Sequence, residues 1–60
     1  MGEWSDVKDG SQIRVTHRTH GQLTLKVLES AAGTLYAGAA GISVPVSSLR
    51  VNGWVLDDVR

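Results

Sequence analysis

The sequence predicts an all-β domain of about five antiparallel strands curled into a small barrel. Three observations carry that expectation. Apolar and polar residues alternate in "QIRVTHR" and again in "QLTLKVLE", the period of a strand with one buried face. Turn-forming residues punctuate the chain at Asp9-Gly10, Thr19–Gly21, Ser30–Gly33 and Ser47–Leu49, leaving strand-length segments between them. Closure of several short strands into a barrel removes the exposed edges that a lone sheet would present.

Each element follows from its residues. "DVKDGS" is a turn, with Asp9-Gly10 tolerating positive φ. The first strand sets Ile13, Val15 and His17 on one side and Arg14, Thr16 and Arg18 on the other. "THG" at 19–21 breaks it. The second strand sets Leu23, Leu25 and Val27 against Thr24, Lys26 and Leu28, so the two pair as an antiparallel hairpin. "SAAG" turns the chain into a short third strand, "TLYA", and "GAAG" at 38–41 is a small-residue connection. "ISVPV" aligns Ile42, Val44 and Val46, and Pro45 confines this strand to an edge or turns its missing N–H away from a partner. "SSL" suits a single tight turn. "RVNGWVL" has two readings: Asn52-Gly53 as a two-residue hairpin turn, or one short strand broken at Gly53. A helix across 31–41 is disfavoured, because Gly33, Gly38 and Gly41 each cost about 1 kcal/mol relative to Ala. The expected core is Ile13, Val15, Leu23, Leu25, Val27, Leu35, Ile42, Val44, Val46, Leu49 and Trp54.

Length and composition bound the function. Sixty residues, 1–60, make a single domain. A chain of this size buries only about 60% of its unfolded surface, and such domains often gain stability from disulfides, metals or oligomerisation. There is no Cys, which excludes disulfides and thiolate metal sites and fits a cytoplasmic location. "MGEWSDVKDG" lacks the apolar run of a signal peptide, and no later segment has the length of a membrane span, so no membrane partner is expected. The net charge is zero, which argues against bulk polyanion binding. Its distribution is uneven: residues 10–50 hold Arg14, Arg18, Lys26 and Arg50 against Glu29, while most carboxylates lie toward the ends.

The order of features resembles the SH3-like small β-barrels. "DVKDGSQIRV" is similar to a Gly-containing turn followed by their first strand, "VPVSSL" to their late Pro-bearing strand and single helical turn, and "NGWVL" to their last short strand. The chain is also similar to short proteins of actinobacteria and their phages, which carry an early Trp and a late Gly-Trp pair, here Trp4 and Gly53-Trp54. No counterpart of the "ALYDY" motif of peptide-binding SH3 domains is present, so recognition of proline peptides is not implied. The superfamily contains both nucleic-acid and protein binders, and a fold does not choose between them.

Catalytic and metal chemistry find little support. His17 and His20 in "THRTH" come together only if the chain bends at Thr19, and zinc needs further ligands. No metal or other cofactor is expected. The serines lack a "GxSxG" elbow and an obvious base. Asp57-Asp58 reads as a solvated terminal charge. "GAAG" is unlike the GxxG loop of KH domains, which joins two helices and carries basic residues. The expectation is therefore a non-enzyme: a small binding module that contacts another protein or itself, with a homodimer as one form. Trp4, Leu28 and Tyr36 are the interface candidates, because Leu28 is out of phase with the core set and Trp is frequent at binding hot spots. The alternative is weak nucleic-acid binding by a basic strand face of Arg14, Thr16, Arg18 and Lys26, whose cations and hydroxyl suit phosphates.

Overall fold

Alternation along the first two strands sets the register of the whole sheet. In the computed structural model, which describes residues 3–39 and 41–60, β1 (Gln12–His17) and β2 (Gly21–Glu29) pair with Ile13 opposite Leu25 and Val15 opposite Leu23. The apolar sets of the two strands thus share one face. Met1 and Gly2, and Ala40 of the predicted 38–41 connection, lie outside the described residues.

β2 serves two neighbours. Gly21–Lys26 pairs with β1, and Lys26–Glu29 pairs with β3 (Leu35–Ala39). β4 (Ile42–Pro45) adds to β3, and β5 (Val55–Val59) returns to the far side of β1. The order is β4-β3-β2-β1-β5, with every pair antiparallel. Before β1 the chain forms a short 3-10 turn (Trp4–Asp6), and Gly10 and Ser11 then bond to both sides of Val27 at 2.8 Å. Pro45 ends the edge strand β4, where its missing N–H leaves no central ladder unsatisfied.

Ile13, Val15 and Val27 are fully enclosed, with Val7, Leu25, Ala37, Val46 and Leu49 around them. Trp4, Leu35, Val44, Trp54, Leu56 and Val59 close the margins of this core. Val7 and Ala37 enter it although their sequence context marks neither. Leu23 and Ile42, expected inside, are 45% and 70% exposed. Both lie on the core-facing side by register, but beyond the region that the other strands cover.

Two further expectations need correction. The sheet is open: no ladder joins β4 to β5 among the described residues, so it is a five-stranded antiparallel sheet with one short helix where a closed barrel was expected. The last strand also starts later than "RVNGWVL" suggests. Val46–Val51 forms a helix, α1, and Asn52-Gly53 is its C-terminal cap. Gly53 N–H reaches Arg50 O at 3.5 Å, and Trp54 N–H reaches Leu49 O at 3.0 Å. With Gly53 at φ +87°, this is a Schellman arrangement, which satisfies the orphan carbonyls and redirects the chain. Asp57 and Asp58 consequently lie within β5 and not in a free tail. No helix among the described residues is long and apolar enough to cross a membrane.

Candidate functional site

The outer face of the sheet carries the predicted basic residues, together with acids. Arg14 lies opposite Thr24 on one side and Asp58 on the other. The register then slips, Val15 meets Leu56, and Asp57 is the extra residue of a bulge. The bulge brings Asp57 to the same face, where Thr16 Oγ1 donates to its Oδ2 and Gln22 Nε2 approaches the same oxygen at 3.4 Å. Arg60 Nε bonds Asp58 Oδ2 at 2.9 Å and holds that carboxyl below its ordinary range. Lys26 stands farther along the face, opposite Gln12 and Gly38. Arg18 has left the strand for the β1–β2 turn. Arg14, Thr16 and Lys26 therefore share a face with two carboxylates, and Arg18 sits apart from them.

At the other end of this face is an apolar row. Leu28 lies opposite Tyr36, and Tyr36 opposite Pro45, across β2, β3 and β4. Leu28 is 58% exposed and Tyr36 36%. Two of the three interface candidates are thus cross-strand neighbours. The third is elsewhere: Trp4 is half-buried against the core.

A third grouping lies where the β1–β2 turn meets the cap of α1. His17 ends β1, and the turn at 18–20 folds His20 back over it, with ring centroids 4.6 Å apart. Trp54 completes the cluster, 5.0 Å from His17 and 5.9 Å from His20, the last two rings lying within 15° of parallel. His17 holds the cluster together. Its Nδ1 accepts from Thr19 N–H at 3.1 Å and His20 N–H at 3.4 Å, so the ring proton resides on Nε2, which donates to Asn52 O at 3.1 Å. Both ring nitrogens are thereby occupied. No group of three or more His, Asp or Glu side chains arranged to hold a metal occurs among the described residues.

Two hollows flank the cluster and share His17 and Asn52. One, about 510 Å³, is lined by His20, Leu23 and Trp54 as well. The other, about 600 Å³, adds Thr16, Arg18, Gly53, Val55 and Asp57. The two histidines around Thr19 were the signal in the sequence for this grouping. The part played by Trp54 was hidden, because it depends on the cap of α1 and on the β1–β5 pairing. Comparison with protein-family models, with curated proteins and with solved structures gives no match to this chain.

Proposed function

We infer that the chain is a small non-catalytic binding module, SH3-like in its strand order and in the helical turn before its last strand, that works by contact with another polypeptide. The observation that carries this reading is the row Leu28–Tyr36–Pro45: three apolar residues paired across three adjacent strands, with Leu28 and Tyr36 exposed and Pro45 half-buried beside them. Isolated exposed apolar residues are ordinary, but a contiguous set marks an interaction surface. The favoured occupant is a second copy. Among the described residues only Ile13, Val15 and Val27 are large side chains fully enclosed, and a domain this small gains stability from further apolar burial. A two-fold contact would set each row against its twin.

The test is sedimentation velocity over a range of concentrations, for the native chain and for Leu28→Glu and Tyr36→Ser. The native chain should show a dimer that both substitutions abolish, with circular dichroism unchanged. A native chain that stays monomeric at millimolar concentration overturns self-association, and a dimer that survives both substitutions overturns the row as its interface.

Nucleic-acid binding is the second reading. The outer face offers it little, because Asp57 and Asp58 stand among Arg14 and Thr16. The ring cluster offers more.

A further inference from the structure

We propose that the His17–His20–Trp54 cluster is a stacking site for a nucleobase, with Arg18 placed to meet the attached phosphate. The ligand chemistry is a flat heteroaromatic ring bearing an anionic group, supplied by single-stranded nucleic acid or by a free nucleotide. This site is separate from the Leu28–Tyr36–Pro45 row and stands independently of it.

Four observations converge. Trp54 and His20 are stacked, within 15° of parallel at 5.9 Å, and His20 is the exposed ring of the pair. Centroid separations of 4.6 to 5.9 Å leave no gap for a ligand between the rings, so a guest must lie on the outside of the stack, as a base does on an aromatic platform. Leu23 extends that platform: by strand phase it belongs to the core, yet it is 45% exposed and lines the same hollow as His20 and Trp54. Arg18 lines the adjoining hollow and forms no ion pair among the described residues.

The polar groups around the platform divide into committed and free. His17 uses both ring nitrogens within the fold. Asn52 Nδ2 is held by Ser48 O at 2.8 Å and Ser48 Oγ at 3.1 Å. Asp57, the carboxylate of the second hollow, is engaged by Thr16 and Gln22. The ring nitrogens of His20 have no protein partner among the described residues. An imidazole that can donate or accept, with a guanidinium in the adjoining hollow that forms no ion pair among the described residues, matches the edge of a base and a phosphate. A transition metal is disfavoured, because ligation by His17 would break the bonds that hold it in place.

The experiment is fluorescence anisotropy of a short fluorescein-labelled oligothymidylate titrated with the full chain at about 50 and 200 mM salt, with unlabelled thymidine monophosphate as competitor. Trp54→Ala loses core packing and is open to a folding explanation, so the decisive variants are His20→Ala and Arg18→Ala, with Lys26→Ala on the outer face as control. The expected result is binding that His20→Ala weakens about ten-fold at both salts, in keeping with loss of one stacked base. Arg18→Ala should weaken it and reduce the salt slope by about one. Lys26→Ala should leave it unchanged. Full competition by the mononucleotide identifies a free nucleotide as the source, and retention of the oligomer identifies a single strand. No binding at either salt overturns the proposal. So does binding that His20→Ala leaves intact, or that Lys26→Ala abolishes, which would place the contact on the outer face.

Discussion

His17 illustrates how one side chain can fix three segments at once. It ends β1, receives two backbone N–H groups of the following turn, and donates to the carbonyl of the residue that caps α1. Nothing else among the described residues ties that turn to the helix cap so directly. These bonds are exposed, so water can replace the lost ring, and His17→Ala should therefore destabilise the fold by about 0.5–1.5 kcal/mol, the ordinary net contribution of a hydrogen bond. Urea unfolding should show a lower midpoint with an unchanged slope, and the His20 ring resonances should shift as the turn loosens. An unaltered midpoint would mean that the turn and cap hold without the ring. By contrast, the Arg60–Asp58 pair joins an exposed arginine to a half-buried aspartate at the surface, where ion pairs contribute little.

At the scale of elements, the first three strands were legible in the sequence and the end of the chain was not. β1 and β2 alternate cleanly, and their phase alone identifies Leu28 as an outward residue. Its pairing with Tyr36 was not legible, because that register is set by the turn where Ser30 N–H meets Thr34 O and Gly33 N–H meets Ser30 O. The α1 segment misleads for a clear reason. Asn-Gly flanked by apolar residues is a strong hairpin signal, and the same dipeptide serves equally as a helix cap; only long-range packing selects between them. Two glycines separate the conformational and steric causes. Gly53 has φ +87°, and a Cβ there would meet nothing closer than His17 Nε2 at 3.7 Å, so Gly53→Ala should cost about 1–2 kcal/mol from backbone conformation alone. Gly38 has no such angle, but a Cβ there would lie 2.6 Å from Ile42 O, so Gly38→Ala must push β3 and β4 apart. Thermal unfolding of both should show Gly38→Ala as the more damaging. The reverse order would mean that the β3–β4 pair yields easily.

On the scale of the molecule, the open sheet has two edges, and each is guarded. β4 ends in Pro45, and β5 carries a bulge and two carboxylates, devices that discourage edge-to-edge aggregation. The topology also has kinetic consequences. Among the described residues, three of the four ladders join strands that follow one another in sequence, while the β1–β5 ladder joins Thr16 to Val55 and Ile13 to Val59, far along the chain. Closing that long loop costs entropy before any contact repays it, so β5 should dock after the meander has formed. Stopped-flow refolding should then show that Val27→Ala slows folding, whereas Leu56→Ala leaves the folding rate nearly unchanged and accelerates unfolding. Equal effects on both limbs would point to β5 being present in the transition state. If it docks last, the lifetime of the folded chain is governed by the grip of Val55–Val59 on β1, and a ligand bridging the β1–β2 turn and Trp54 would lengthen that lifetime without hastening the fold's assembly.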